Sequence, residues 1–303
     1  MVDQENFVNL TERLSPICIK TDINVPDSQT TQSVLFQSDQ HFDSVHCMRD
    51  MLERHLKEAV AADAPIYFLG DWYDMMQGRN DPRRNKGSMR QGLMADNYID
   101  RAIDETVEFL TPYCKNIVGW AKGNHETAIL RHLETDVINR TIESLRHKGA
   151  DIKPMGYQGW IFFRLHREPT KKTTRRTDIH TVRTFFTHGY GGAAPVTKGV
   201  IQANRKAVYL PDADIVISGH THQQWDFPIN RYRISQRGVV YTDTQYHLQL
   251  PCYLDPAPED SDGMGWAIEK GFPPTPTGAW WVDFCYTKSD NKRLFTIDAR
   301  RAQ

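Results

Sequence analysis

The chain has few cysteines, and none of them lies close to another in sequence. Its five cysteines are spread over 303 residues, and no two form a CxxC pair. Disulfide frameworks of small secreted domains and thiolate metal sites both need closely spaced cysteines. We therefore expect reduced thiols in a cytoplasmic protein at Cys18, Cys47, Cys114, Cys252 and Cys285.

The chain also lacks an excess of either sign of charge, and it lacks long apolar runs. The chain has 37 basic and 38 acidic residues, and its net charge is −1. No global positive field recruits nucleic acid, so any polyanion binding must be local. No stretch approaches the roughly 18 apolar residues of a membrane-spanning helix, and residues 1–6 carry no basic patch before an apolar stretch. We therefore expect no evident export signal and no membrane embedding.

The length and the apolar content suit a single large core. At 303 residues and 39% hydrophobic, the chain predicts one domain over residues 33–303. Residues 1–32 are polar and are expected to form an N-terminal arm or edge strand. Residues 244–278 are predicted to form a proline-rich loop. Its aromatic side chains are expected to pack onto the domain or to form a homodimer contact; stacking on a base is the alternative.

What the chain does contain is a set of polar residues at the ends of apolar runs. The runs cover residues 33–38, 65–70, 116–123, 184–187 and 213–219. Side chains at the carboxyl ends of successive strands converge on one rim of an α/β sheet, where such folds place their sites. The residues are Asp39, His41, Asp71, Asn124, His188, His220 and His222.

Carboxylate, amide oxygen and imidazole are hard or borderline donors. They suit Mn²⁺, Fe, Zn²⁺, Ni²⁺ or Co²⁺, whereas thiolate, which selects soft metals, is missing from every fragment. Taken singly, most of these fragments are more often turns than ligands. Five of them in order, each ending an apolar run, favour a two-metal site.

These fragments resemble the calcineurin-like metallophosphoesterase superfamily, whose pattern is DxH, GDxxD, GNHE, H and GHxH. The resemblance covers about residues 33–243 and extends to a branch often found in bacteriophage and prophage genomes. It implies a four-layer αββα sandwich of two mixed β-sheets flanked by helices. It also implies two divalent ions, Mn²⁺ being expected, with Asp71 shared between them. One ion would be held by Asp39, His41 and His222, and the other by Asn124, His188 and His220.

The resemblance also implies two catalytic residues that do not bind metal. His125 would lie over the substrate phosphate as general acid or charge stabiliser, and Asp74 would orient its ring. A metal-bridging hydroxide would then attack the phosphate ester.

Apolar spacing predicts three helices and several later strands. The helices are expected near residues 45–59, capped by Asp43 or Ser44, at 99–110, and from Glu126 to about residue 145. Beyond residue 151, short strands at 160–165, 181–187, 215–218, 239–242 and 280–284 are expected to form the second sheet.

Two basic segments bear on the substrate. Residues 78–90 begin four residues after Asp74, and their guanidinium groups suit bidentate contacts with phosphate. Arg79, Arg83 and Arg84 are therefore candidate substrate-binding residues. The second segment, residues 164–176, is expected to be a solvated loop face.

Three functions remain open from the sequence. The first is a phosphodiesterase or nuclease acting on nucleic acid or nucleotides, which the basic loop at residues 78–90 favours. The second is a phosphomonoesterase acting on a protein or a small metabolite. The third is a catalytically silent binding scaffold, and the intact ligand set speaks against it.

Overall fold

The computed structural model describes residues 11–25, 30–75, 89–167, 178–192, 196–256, 273–289 and 292–302. Within these ranges the chain forms thirteen strands in two sheets and five α-helices. The helices are α1 (Arg49–Ala61), α2 (Tyr98–Leu110), α3 (Asn124–Leu133), α4 (Val137–Arg146) and α5 (Val200–Tyr209). None of the helices in the described ranges is long and apolar enough to span a membrane.

The first sheet is six-stranded and mixed. Its order is β13 (Lys292–Ala302), β12 (Ala279–Ser289), β3 (Thr30–Gln37), β4 (Ile66–Leu69), β5 (Ile117–Ala121) and β6 (Lys153–Pro154). The strands from β3 to β6 are parallel to one another, and β12 and β13 are added in antiparallel pairs.

The second sheet is seven-stranded and also mixed. Its order is β1 (Thr11–Ser15), β2 (Cys18–Val25), β7 (Gln158–Arg167), β8 (Asp178–Thr187), β9 (Ile215–Ser218), β11 (Val240–Gln249) and β10 (Trp225–Ile234). Strand β9 pairs in parallel with both β8 and β11.

Strands β4 and β5 and the second half of β3 are buried on both faces. In β3, Val34 and Phe36 pack toward the second sheet, whereas Leu35 packs with the helices, as the two-residue period of a strand requires. Helices α1 to α4 cover the outer face of the first sheet. Apolar residues at and after the end of α5 pack on Phe185 and Val216 of the second sheet. The predicted αββα sandwich of two mixed sheets is confirmed.

Three sequence predictions are wrong in detail. The strand predicted at 280–284 is part of β12, which pairs with β3 in the first sheet and not in the second. The helix predicted to run to residue 145 is two helices, because Glu134 is left-handed at φ 52° and Asp136 caps α4. Neither Asp43 nor Ser44 caps α1, which starts at Arg49 without a side-chain cap.

Several elements were not predicted or are longer than expected. Residues 11–25 of the predicted arm form an edge strand, β1, and an inner strand, β2. Strand β11 continues to Gln249, so the predicted loop can begin only after that residue, and most of its remainder lies outside the described ranges. Strands β10 and β13 and helix α5 have no counterpart in the sequence prediction.

Candidate metal centre

The seven candidate ligands lie just beyond strand ends of both sheets. Parallel pairing brings the ends of β3, β4 and β5 to one edge of the first sheet, and those of β8 and β9 to one edge of the second. The backbone N–H of His220 donates to Asp39 Oδ2 at 2.9 Å, so the two edges meet. The ligands are Asp39 and His41 after β3, Asp71 after β4, Asn124 after β5, His188 after β8, and His220 and His222 after β9.

Left-handed backbone is concentrated at this edge. Of the nine non-glycine residues with positive φ in the described ranges, five are candidate ligands. Such conformations persist where the surrounding structure imposes them, and they cluster at functional sites. The five are Asp39 (φ 55°), His41 (46°), Asp71 (51°), His220 (74°) and His222 (52°).

Glycine before a ligand permits close approach of the loops. A Cβ on Gly123 would lie 2.0 Å from Asp71 Oδ1, and one on Gly70 would lie 2.6 Å from His188 Nδ1. Gly70 also has a φ of 102°, which side chains rarely adopt. The recurrent glycine–ligand order therefore has a steric cause.

The first cluster contains Asp39, His41 and His222, whose donor atoms lie within 4.8 Å of one another. Asp39 Oδ1 is 3.3 Å from His222 Nε2, and His41 Nε2 is also 3.3 Å from His222 Nε2. Three donors therefore surround one small volume.

The second cluster contains Asp71, His188 and His220, again with donor atoms within 4.8 Å. His188 Nε2 lies 3.0 Å from Asp71 Oδ2 and 3.1 Å from Asn124 Oδ1. His188 Nδ1 lies 2.9 Å from the carbonyl oxygen of Leu69 and can only donate to it. This hydrogen bond fixes the tautomer of the neutral ring and leaves the Nε2 lone pair for the cluster.

Asp39 Oδ1 connects the two clusters. Besides His222, it faces His188 Nε2 at 4.0 Å. The atom is buried and forms no hydrogen bond of good geometry in the described structure, so its charge is balanced only when His222 or His188 is protonated or a metal ion is bound. A buried carboxylate oxygen without a donor is costly unless a cation compensates it. Together with the hard and borderline donors around it, this orphaned atom fits a pair of divalent ions. The bridging role of Asp71 stays a prediction.

His125 and Asp74 lie beside the first cluster. His125 Nδ1 is 2.6 Å from the main-chain oxygen of Asp74 and 3.6 Å from its carboxylate. The Asp74 carboxylate is closer to a candidate ligand, because its Oδ1 lies 3.0 Å from His41 Nδ1. In this structure Asp74 therefore orients His125 mainly through its backbone and orients His41 through its side chain.

The carboxylates and imidazoles shift one another's pKa. Burial opposes the charge on Asp39, but His188 and His222 outweigh it and lower the pKa to about 2. Burial likewise opposes the charge on His188, yet Asp71 and Asp39 raise its pKa to about 9. Without an ion, these histidines balance the carboxylates as cations, which is the role that metal ions would take.

Two buried carboxylates that the sequence analysis did not assign to the site hold its loops. Glu126 accepts hydrogen bonds from the backbone N–H groups of Asp71, Tyr73 and Gly123 at 2.7–3.1 Å. Asp43 accepts from the backbone of Asp74 and Met75 at 2.5 and 2.9 Å. Glu126 could have been predicted as part of the site, because it is the last residue of the GNHE motif. Nothing local marked Asp43 for this role.

In the described part of the chain, none of the remaining histidines belongs to a group that could hold a metal ion. His247, which the sequence left unassigned, is buried in β11 with its Nε2 3.0 Å from Gln245 Oε1. His55 lies buried in α1 with its Nδ1 2.8 Å from the hydroxyl of Tyr253. All five cysteines are free thiols. One of them, Cys252, is buried, which would raise its pKa, but the charge of nearby His222 outweighs burial and lowers it.

The candidate substrate-binding residues Arg79, Arg83 and Arg84 lie outside the described ranges. Of the same basic segment, Arg90 is described. It forms an ion pair with Glu105, which also pairs with Arg49 at 2.8 Å. Arg90 therefore contributes to the packing of α1 against α2 and not to a free basic surface.

Comparisons with known proteins give only distant similarity. No protein family matches the sequence, and no curated protein matches it. The chain is similar to the solved structure of vacuolar protein sorting 29 from Cryptosporidium parvum, with 13% identity, a TM-score of 0.37, and coverage of 89% of this chain and 98% of that one. A predicted phosphoesterase from Streptococcus pneumoniae TIGR4 is 12% identical, with a TM-score of 0.31 and coverage of 90% of this chain and 91% of that one. A protein of unknown function from Aquifex aeolicus is 15% identical, with a TM-score of 0.29 and coverage of 63% of this chain and 80% of that one. The functional argument therefore depends on the site geometry of this chain.

Proposed function

We propose that the protein is a dinuclear-metal-dependent phosphoesterase. The observation that carries this proposal is the junction at Asp39, whose buried Oδ1 faces imidazole nitrogens of two adjacent clusters. One carboxylate between two histidine clusters suits two ions that lie close together, an arrangement that recurs in phosphatases and nucleases.

The residues divide into two sets of metal ligands. Asp39, His41 and His222 would hold one ion, while Asn124, His188 and His220 would hold the other. Asp71 would be shared between them. When bound, the ions supply the Lewis acidity that phosphoester hydrolysis requires. The side chains supply orientation: Asp74 holds His41, and the Leu69 carbonyl holds His188.

His125 would act on the substrate as a proton donor. Its Nδ1 is held by the Asp74 carbonyl, so its Nε2 is directed into the site, 3.8 Å from Asp71 Oδ2. A protonated His125 can donate to the leaving oxygen or stabilise charge on the phosphoryl group in the transition state.

The proposed substrate is a phosphodiester of a nucleic acid or nucleotide, and the proposed metal is Mn²⁺. Support for the diester comes from the basic segment that contains Arg79, Arg83 and Arg84. Support for a cytoplasmic setting comes from the five free thiols, since such thiols persist in a reducing compartment.

Elemental analysis and two chromogenic esters test the proposal. We expect two ions per chain after loading with Mn²⁺, and we expect metal-dependent hydrolysis of bis-p-nitrophenyl phosphate. Faster hydrolysis of p-nitrophenyl phosphate would favour a phosphomonoesterase. Protein that binds metal but hydrolyses neither these esters nor DNA, RNA or cyclic nucleotides would be a binding scaffold.

A further inference from the structure

A small cavity lies next to the candidate metal centre, on the side of α5. Its volume is about 40 Å³, room for roughly three water molecules and so for a compact group such as a phosphate. Residues adjoining the candidate ligands line it, including Gly189, Gly219 and Thr221, but none of the seven ligands does. The cavity is therefore a neighbour of the metal centre and not the centre itself.

One of the residues that line the cavity is a buried lysine. Lys206 is 7% exposed, and its ammonium group donates a hydrogen bond to the hydroxyl of Ser218, which also lines the cavity. In the described part of the chain, no carboxylate forms an ion pair with Lys206. A buried ammonium without a counter-charge is costly, so such groups are normally paired.

The rest of the lining favours an anion as the missing partner. A second lysine, Lys198, contributes to the lining, and among the described residues that line the cavity none is acidic. Gln202, one turn before Lys206 on α5, also lines the cavity, and its buried Oε1 has no hydrogen-bond partner within the described ranges. Rotation of this amide would present its NH₂ group as a donor. Burial lowers the pKa of Lys206 to about 8, so the group is still charged at neutral pH.

We propose that this cavity binds a second phosphate of the substrate, next to the phosphate that is hydrolysed, with Lys206 as its buried counter-ion. The inference rests on the proposed phosphodiesterase function and narrows its substrate class. The preferred substrates are phosphodiesters that carry another phosphate within one nucleotide of the scissile bond, as in oligonucleotides.

The kinetic test compares three thymidine dinucleotides: one without a terminal phosphate, one with a 5′-phosphate and one with a 3′-phosphate. One of the two phosphorylated forms should have a kcat/KM roughly 10- to 100-fold higher than that of the plain dinucleotide. This factor corresponds to the contribution of one hydrogen bond to a charged group. Lys206→Met should remove that preference, so that the phosphorylated and plain dinucleotides have the same kcat/KM. Arg205→Met, an exposed charge on the same helix, should keep the preference. If the wild type hydrolyses the plain dinucleotide but shows no preference, the proposal is overturned, however the variants fold.

A binding test needs no activity. In metal-free protein, millimolar inorganic phosphate should raise the melting temperature of the wild type and of Arg205→Met more than that of Lys206→Met. Without phosphate, Lys206→Met should be at least as stable as the wild type, because it removes a buried charge. An equal phosphate effect in all three proteins, or a large loss of stability in Lys206→Met alone, would assign Lys206 a purely structural role. If no diester is hydrolysed but the phosphate effect depends on Lys206, the anion site stands and the proposed function fails.

Discussion

His41 Nε2 and His222 Nε2 face each other across 3.3 Å, although the two residues are 181 positions apart. The other nitrogen of His41 faces the Asp74 carboxylate at 3.0 Å and donates its proton there. The Nε2 lone pair of neutral His41 is therefore directed at the same small volume as His222 Nε2 and Asp39 Oδ1. Such converging lone pairs need a cation between them, either a proton on His222 or a metal ion.

Asp71→Asn should lose activity and bound metal together, because Asp71 is proposed as the ligand shared by both ions. Elemental analysis and the rate on bis-p-nitrophenyl phosphate measure the two losses. Asp212→Asn, at an exposed position outside the site, is the matched control and should retain both. Full metal content with wild-type turnover in Asp71→Asn would refute the assignment.

His125→Ala should keep both ions, since His125 is proposed as a proton donor and not as a ligand. On an ester with a poor leaving group, kcat should fall by roughly two or more orders of magnitude. An activated p-nitrophenyl ester should be affected less. His132→Ala, at an exposed position of the same helix, should change neither rate. Loss of metal from His125→Ala would instead make His125 a ligand.

Asp74→Asn distinguishes two roles for the Asp74 carboxylate. Its contact with His41 predicts that affinity for the ion held by Asp39, His41 and His222 falls by roughly 10- to 100-fold, as for other partners of metal-binding histidines. With saturating metal, kcat should largely recover, because the main-chain carbonyl still holds His125. A loss of kcat that excess metal does not restore would show that the carboxylate acts mainly on His125.

The metal-free protein should lose stability as the pH rises from about 6.5 to about 9. Burial works against the charge on His188, but Asp71 and Asp39 raise its pKa to about 9, whereas an unfolded histidine titrates near 6.5. The folded state then binds the extra proton in this window, so its stability advantage is complete below 6.5 and disappears through pH 9. Urea unfolding measures the free energy of unfolding of wild type and of His188→Gln. The difference between the two proteins should be smaller at pH 9.5 than at pH 6.5, by on the order of 3 kcal/mol at most. A constant difference would contradict the charged state of His188.

Replacing Arg83 and Arg84 by Ala should flatten the salt dependence of oligonucleotide hydrolysis. Each phosphate contact adds about 0.7 to 0.9 to the slope of log rate against log salt. The rate on a small chromogenic diester should barely change. Replacing Lys171 and Lys172 by Ala removes the same charge from the other basic segment and should leave the slope intact. If replacing Arg83 and Arg84 lowers the hydrolysis rates of the oligonucleotide and of the chromogenic diester equally, the basic segment supports the metal site or the fold.

The sequence was informative where structure is local. An apolar run, a glycine and then a polar donor are consecutive residues, so Asp71 and Asn124 could be located at strand ends before any pairing was known. The end of α2 at Leu110 was predictable for the same reason, because Pro112 lacks the N–H group that a further α-helical hydrogen bond needs. The phage-type branch, the metal and the substrate stay predictions.

Long-range contacts decided the rest. Nothing around residues 280–284 indicated that this strand would pair with β3, because sheet partners are chosen by complementary surfaces of distant segments. The same reason explains why the Asp74 carboxylate was expected at His125 but is closer to His41. The third predicted helix is split for a different reason. The helical spacing of apolar residues continues through residues 130–145, so nothing in the sequence indicated the left-handed turn at Glu134.

By itself, then, the sequence determined which donor types the protein presents and at which strand ends they stand, because these depend on neighbouring residues. The tertiary structure alone decided how the donors divide into two clusters around Asp39. It alone brought Glu126 beneath three loop N–H groups and buried Lys206 beside the site, where no described carboxylate pairs with it. Those relationships join segments up to 181 residues apart, and only packing of two sheets and their helices determines which side chains share one buried volume.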